Sequence, residues 1–145
     1  DEDPEPACWP IDGKGVQHLM GEGPVVIHHW ATWCESCIEE GPKIQALAEQ
    51  SVVPVVCLSW DTFEGQPLSS CLWDVAEVSR ELGWSAAQYV LEDSPEEFFQ
   101  MFEMDCKQVP QTWLVDGDGK KVLSIDGPVD EQSLSALLKS AEGLQ

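Results

Sequence analysis

Two cysteines separated by two residues are the most chemically informative feature of the sequence. Cys34 and Cys37 follow a β-branched run, Val25 to His29, and open a helical stretch that continues to about Gln50. Unpaired N–H groups at a helix start stabilise negative charge, so we expect Cys34 to ionise more readily than a reference thiol, whose pKa is about 8.5. Cys37 lies one turn further along, within reach of its partner. The placement predicts a redox pair that exchanges disulfides through a mixed disulfide.

Two other interpretations of this pair stay open at the level of sequence. The cysteines can be half of a zinc site, although zinc needs two further ligands and the chain has no second Cys-x-x-Cys and no His-x-x-x-His. They can also form a purely structural disulfide, although a bridge over so short a loop removes little chain entropy. We predict no metal site.

Length and charge restrict the class of protein. A chain of 145 residues is the size of one domain with a substantial core. Seven basic against 27 acidic side chains give a formal net charge of −20, which repels phosphate backbones and anionic membranes and argues against nucleic acid as a partner. No apolar run approaches the roughly 18 residues needed to span a bilayer. We expect one soluble domain over residues 11–145.

The N-terminal segment and the cysteine count point to a location. Residues 1–10 open with an acidic, proline-rich stretch that predicts a flexible segment. The chain begins with Asp1, which favours removal of a targeting segment and allows a tether there. Six cysteines are many for a reducing compartment, so we expect a periplasmic or otherwise extracytoplasmic protein. The alternative is an intracellular protein with ordinary buried thiols.

Strands and helices alternate along the rest of the chain. The pattern predicts a strand over Val52 to Leu58, an amphipathic helix from Leu68 to Leu82 ended by Gly83, a strand over Ala87 to Leu91, a helix opened by the capping box of Ser94 and Glu97, a hairpin of Gln111 to Val115 with Lys120 to Ser124, and a last helix capped by Asp130. Parallel βαβ units followed by a hairpin and a helix predict an α/β fold, with a mixed central sheet flanked by helices on both faces.

Two segments resemble the signatures of a known superfamily. Residues 30–37 (WATWCESC), with Glu40 and Pro42, are similar to the active-site segment of the thioredoxin superfamily, and most of all to its periplasmic TlpA/ResA-like thiol–disulfide oxidoreductases. Residues 109–116 (VPQTWLVD) resemble the second signature, in which the proline is cis. The resemblance implies a thioredoxin-like fold with one inserted helix–strand element between the two segments.

The resemblance also assigns supporting roles. It implies that Pro110 is cis and faces the redox pair, so that the Val109 backbone pairs with an extended substrate segment. Glu40 is expected to shuttle a proton, or else to be a solvated surface residue. His28 occupies the place of the family's buried Asp or Asn and is expected to accept a proton from Cys37, or else to be a hydrogen-bonded core residue. His28 and His29 point to opposite faces, so only one can do this.

The residues around Cys34 bear on substrate binding and redox poise. Trp33 is expected to form an apolar substrate surface, flanked by Glu35 and Ser36, whereas Trp30 reads as core. Ser36 departs from the usual family proline, Glu35 adds negative charge, and the sequence shows no nearby cation. These features favour a thiol pKa near the value of about 7 found in thioredoxin, and therefore a reductase. A dedicated oxidase would differ only in potential.

The resemblance suggests partners. It implies protein disulfide substrates, such as apocytochromes in cytochrome c maturation or copper-site cysteines, and a membrane-bound electron donor. We expect a monomer that needs no cofactor. The alternative is a thioredoxin-fold copper chaperone or binding module that uses the same two cysteines. Among the other cysteines, Cys57 reads as core, a Cys71–Cys106 bridge is conceivable, and Cys8 anchors the N-terminal segment or stays free.

Overall fold

The computed structural model describes residues 8–144 and contains six strands and six α-helices. The strands are β1 (Cys8–Ile11), β2 (Val25–Trp30), β3 (Val55–Ser59), β4 (Ala87–Leu91), β5 (Gln111–Val115) and β6 (Lys121–Asp126). The helices are α1 (Gly13–Gly21), α2 (Glu35–Glu39), α3 (Gly41–Gln50), α4 (Leu68–Glu81), α5 (Pro95–Met101) and α6 (Glu131–Glu142), with a short 3₁₀ helix at Asp61–Glu64.

One mixed sheet organises these elements. Its strand order is β1-β4-β3-β2-β5-β6, in which β1, β4, β3 and β2 run parallel and β5 and β6 are antiparallel to their neighbours. Helices α3, α4 and α6 contribute to the core on one face, while α1, α5 and the 3₁₀ helix pack on the other. This is the predicted thioredoxin-like α/β architecture, and α4 with β4 lengthens the chain between the two signature segments.

The central strand β2 explains why the site sits where it does. All six of its residues are buried, because it lies between β3 and β5 and is covered on both faces. Alternation along the strand sends Val26 and His28 to the face of α3 and α6, and Ile27 and His29 to the face of α5. The strand ends at Trp30, four residues before the first cysteine of the redox pair.

Several predicted elements are confirmed at or near their expected bounds. Helix α4, strands β4 and β5 and the capping box of Ser94 and Glu97 agree with the pattern, and Asp130 caps α6 by accepting from the Ser133 N–H. Gly83 follows α4 with a φ of +73°, a conformation that glycine adopts without a Cβ clash. Local sequence signals, such as capping residues, were therefore sufficient to predict these elements.

Other elements differ from the prediction. The helical stretch to Gln50 is two helices that meet at Glu40, and this interruption agrees with the kink expected of Pro42, which lacks an N–H and lies in the first turn of α3. Strand β3 begins at Val55, not Val52, since Ser51 bonds the backbone of Val53 in a tight turn.

The beginning of the chain is also different. Residues 8–10, assigned to the flexible segment by sequence, are part of β1, which pairs with β4. Residues 1–7 lie outside the described part, so flexibility there stays a prediction. The conceivable bridge between Cys71 and Cys106 is absent, because both thiols are free. Between residues 8 and 144 no helix has the length and apolar character to cross a membrane.

Candidate active site

The redox pair lies at the junction between the end of β2 and the start of α2. Cys34 and Cys37 are joined as a disulfide, and Cys34 is the N-cap residue of α2. The Cys37 N–H donates to the Cys34 Sγ at 3.3 Å, and the Ser36 hydroxyl lies 3.5 Å from the same sulfur. Cys34 is 9% exposed, whereas Cys37 is fully buried. Only one of the two sulfurs can therefore be reached from solvent.

The rim around Cys34 brings the two signature segments together. Its sulfur lies 3.7 Å from the carbonyl oxygen of Val109, a plain contact because a disulfide sulfur has no proton to donate. The Val109–Pro110 peptide bond is cis, as the resemblance implied. Trp33 is 45% exposed beside the pair, and Glu35, the first residue of α2, is also exposed. The accessible sulfur is thus flanked by an exposed ring and an exposed carboxylate.

A groove extends from this rim over the 3₁₀ helix and α5. It has a volume of about 360 Å³ and a mostly apolar wall that includes the rings of Trp33, Phe63 and Phe99, with Val109 on the side of the redox pair. Lys107 also lines it, with its Nζ 6.0 Å from the centre of the Phe99 ring. This cation could not be expected from the sequence, because Lys107 is distant from the pair along the chain and reaches the groove only through the fold.

A buried polar cluster lies on the face of the sheet that carries the redox pair. The His28 Nδ1 is 2.8 Å from the Thr112 hydroxyl oxygen, and its Nε2 is 3.0 Å from a Glu40 carboxylate oxygen, a distance within ion-pair range whose alignment falls short of a hydrogen bond. The other Glu40 oxygen accepts from the Val129 N–H at 2.6 Å. Glu40 is 4% exposed, so its alternative as a solvated surface residue is wrong.

A buried thiol continues this cluster along the sheet. Cys57 on β3 is in register with His28 on β2, so both side chains stand on the same face. Burial raises the pKa of Cys57 to about 12, and the charge of Glu40 acts in the same direction, while a hydrogen bond to Gln88 opposes them. Cys57 is a core residue, as predicted, and its thiol stays protonated at physiological pH.

The neighbouring histidine has a different environment. His29 faces the opposite side of the sheet, where its Nδ1 accepts from the Trp60 indole N–H at 3.0 Å and its ring lies 4.2 Å from the Trp113 ring. Burial holds the pKa of His29 well below its usual value of 6.5, and the charges of His28 and Lys121 add to that effect. His28 is accordingly the histidine that shares a face with the redox pair.

Trp84 is part of the site although the sequence analysis gave it no role. Its indole N–H donates to the Gly41 carbonyl at 2.9 Å, between α2 and the body of α3, and its ring packs 4.6 Å from Trp30 and 5.9 Å from His28. Trp30 itself is fully buried, as predicted. No local spacing could have indicated this contact, since Trp84 follows α4 in the chain.

The described residues offer little for metal binding. Among residues 8–144, no three or more His, Cys, Asp or Glu side chains are grouped so that they could hold a metal ion. The two cysteines of the motif are bonded to each other. The arrangement that the structure does contain is one accessible sulfur, one buried sulfur and a polar cluster below them, which is suited to thiol–disulfide exchange.

Comparison with known proteins gives concordant results. No model of a known protein family matches the chain. It is 28% identical over 125 residues to the thiol:disulfide interchange protein DsbE of Haemophilus influenzae, covering 86% of this chain and 62% of that protein. It is 26% identical over 105 residues to DsbE of Pasteurella multocida, covering 72% and 51%. The chain thus spans between half and two thirds of the length of these relatives.

A solved structure agrees in fold. A thioredoxin family thiol:disulfide interchange protein from Chlorobium tepidum superposes with a TM-score of 0.62 at 20% identity, covering 97% of this chain and 98% of that one. The shared fold, the relatives and the bonded cysteine pair agree with the two signature segments. The chain therefore has a thioredoxin-like fold, and its sequence is similar to those of thiol:disulfide interchange proteins.

Proposed function

We propose that this chain reduces disulfides in protein substrates, with Cys34 as the attacking thiolate and Cys37 as the resolving thiol. The observation that carries the proposal is the difference in access between the two sulfurs, since Cys34 reaches the surface and Cys37 does not. The first thiol must meet a substrate disulfide, whereas the second needs only to reach its neighbour.

The reaction balances within the pair and its substrate. The Cys34 thiolate attacks one substrate sulfur, which breaks the substrate S–S bond and forms a mixed disulfide. Cys37 then loses a proton and attacks Cys34, releasing the second substrate thiolate. The substrate gains two electrons, and the pair ends as the disulfide seen in the structure. A membrane-bound electron donor is proposed to return the pair to the dithiol.

The buried cluster supports the resolving step. Cys37 must lose its proton in a site closed to water, and the buried side chains of His28 and Glu40 lie on the same face of the sheet. Glu40 is held by the Val129 N–H and His28 by Thr112, so both side chains keep a fixed orientation. We assign proton transfer from Cys37 to this pair, with Glu40 as the acceptor and His28 as its partner.

Substrate binding is assigned to the rim. The Val109 backbone next to cis Pro110 is placed to pair with an extended segment, and Trp33 offers it an apolar surface. Glu35 and Ser36 follow Cys34 in the chain. The Ser36 hydroxyl lies 3.5 Å from the Cys34 sulfur, and the Glu35 side chain is exposed. These residues would bind the chain on either side of the substrate cysteine.

The wider setting follows from the same proposal. We assign the chain an extracytoplasmic location, protein disulfides such as those of apocytochromes as substrates, and a monomeric single domain that begins with β1 at Cys8 after a short acidic segment. The number of cysteines and the named relatives support an oxidising compartment. No cofactor enters the proposed cycle.

Reduction of insulin by the dithiol form tests the function. We expect Cys34→Ser to abolish turnover and Cys37→Ser to accumulate a mixed disulfide that non-reducing electrophoresis detects. Cys106→Ser is the matched control, because Cys106 is a free thiol of intermediate exposure outside the pair, and its replacement should leave turnover unchanged. Undiminished turnover in Cys34→Ser would refute the proposal. Tight stoichiometric Cu(I) binding without turnover would favour a copper chaperone.

A further inference from the structure

A buried carboxylate supports the loop that carries the redox pair. Asp61 follows β3 and is 3% exposed. One of its oxygens accepts from the Thr32 N–H at 2.9 Å and from the Ser59 hydroxyl at 2.5 Å, and the other accepts from the Thr32 hydroxyl at 2.5 Å. Three donors on two oxygens fit an ionised carboxylate, which can only accept.

No cation compensates this charge in the described part of the chain. The ion pairs found between residues 8 and 144 join His18 with Glu22, His28 with Glu40, and Lys43 with Glu131, and none includes Asp61. The carboxylate is held by neutral N–H and O–H donors, which do not cancel its charge. Its electrostatic field therefore acts on nearby titratable groups.

The field of Asp61 already reaches thiols on the face of the redox pair. Burial raises the pKa of Cys8 to about 12 and that of Cys71 to about 11, and in both the second cause is the charge of Asp61. Cys34 belongs to the same core cluster as these two thiols. It also lies only two residues after Thr32, so their Cα atoms are at most about 7 Å apart.

We propose that Asp61 is a positioning residue for the redox pair, which anchors the loop from Ala31 to Cys34 and, as a fixed negative charge, makes the pair more strongly reducing. A nearby negative charge disfavours the Cys34 thiolate and thereby the reduced form, whereas stabilisation of the reduced form is what makes a pair oxidising. The inference rests on the proposed reductase function and adds a residue that favours reduction of the substrate over its oxidation.

Replacement of the charge tests the electrostatic part. In Asp61→Asn the amide oxygen still accepts from the Thr32 N–H and the Ser59 hydroxyl, and the Thr32 hydroxyl can rotate to accept from the new NH₂ group. In glutathione buffers we expect the equilibrium to shift about three- to tenfold toward the dithiol, and we expect Cys34 to be alkylated about threefold faster at pH 6. Asp118→Asn, an exposed residue in the β5–β6 turn, changes the net charge equally and should shift neither.

Loss of one anchor tests the positioning part separately. Thr32→Val removes the hydroxyl donor but keeps the backbone N–H and the charge, and Thr32→Ser restores a hydroxyl. We expect amide hydrogen exchange at Cys34 to become about tenfold faster in Thr32→Val and to stay at the parent rate in Thr32→Ser. This measurement decides whether Asp61 anchors the loop even where Asp61→Asn fails to fold.

The outcomes are separable from the test of function. A folded Asp61→Asn with an unchanged glutathione equilibrium overturns the electrostatic part, and unchanged exchange in Thr32→Val overturns the anchoring. Neither measurement uses a protein substrate. If the parent chain fails to reduce insulin while the Asp61→Asn equilibrium shifts as expected, the reductase assignment fails and the role of Asp61 stands.

Discussion

Two adjacent histidines on one strand show how differently the two faces of the sheet are built. His28 and His29 are both fully buried, yet His28 contacts Glu40 and Thr112 whereas His29 is surrounded by Trp60, Trp113 and Phe98. The first face, which we call the polar face, carries the redox pair; the second, the aromatic face, carries a packed ring cluster.

This difference shows that burial alone does not indicate the role of a polar side chain. On the aromatic face one hydrogen bond, from the Trp60 indole, uses the histidine as a fixed acceptor within a core. On the polar face the histidine contacts a carboxylate and a hydroxyl beneath a reactive disulfide. We therefore expect changes on the aromatic face to affect stability and changes on the polar face to affect the reaction.

The largest expected effect is on the aromatic face. Phe98→Ala removes a fully buried ring that packs 4.9 Å from Phe102 and 6.1 Å from His29, so we expect the free energy of unfolding to fall by about 3–5 kcal/mol. Urea denaturation of the oxidised protein measures this. Met101→Ala, at an exposed position of the same helix, should cost less than about 1 kcal/mol. A shift of the glutathione equilibrium in Phe98→Ala would contradict the expectation that changes on the aromatic face affect stability and not the reaction.

On the polar face, Glu40→Gln should affect the reaction and spare the fold. The amide oxygen still accepts from the Val129 N–H, so we expect a loss of at most about 1 kcal/mol in stability. Removal of the proton acceptor should lower insulin reduction by at least about tenfold and slow the decay of the mixed disulfide. Glu39→Gln, at the exposed last residue of α2 next to Glu40, is the control. Equal turnover in the two variants would contradict the role given to Glu40.

A pH titration of stability sharpens the contrast. Burial keeps the pKa of His29 below its unfolded value of about 6.5, so only the unfolded chain takes up this proton as the pH falls. Above pH 6.5 His29 has no effect on the pH dependence of stability. Below pH 6.5 the free energy of unfolding falls by up to about 1.4 kcal/mol per pH unit. The difference between the parent and His29→Phe should change with pH from 6.5 to 5. Parallel curves would show that His29 is not held neutral.

The smallest expected effect concerns the remaining thiols. Cys8, Cys57 and Cys71 are buried, and burial raises the pKa of each to about 11 or 12. Iodoacetamide at pH 8 should therefore label the folded, oxidised protein once, at Cys106, and the denatured protein four times. Mass spectrometry counts the labels. Rapid labelling of Cys57 in the folded state would mean that the polar face opens to solvent.

Much of the fold was predictable because its signals are local. The capping box at Ser94, the Asp130 cap and the turn between β5 and β6 involve residues within a few positions of each other, and each formed as expected. Strand β1 and helix α1 were missed, since β1 is a four-residue edge strand with Pro10 and α1 contains glycines with low helix propensity. The Asp12 cap, which accepts from Gly15, was the signal that could have revealed α1.

The cysteine pair and its place at the start of a helix could be predicted from the sequence alone. The cysteine spacing and the strand before it are contiguous, so the motif and its place at the start of a helix required no distant contact. Other features were visible only in the folded structure. These are the face of the sheet on which His28 lies, the burial of Glu40, and the hydrogen bonds of Asp61 and Trp84 to Thr32 and Gly41. These facts depend on which segments, far apart in the chain, become neighbours when the sheet forms, because hydrogen bonds and burial act over a few ångströms of space and not along the sequence.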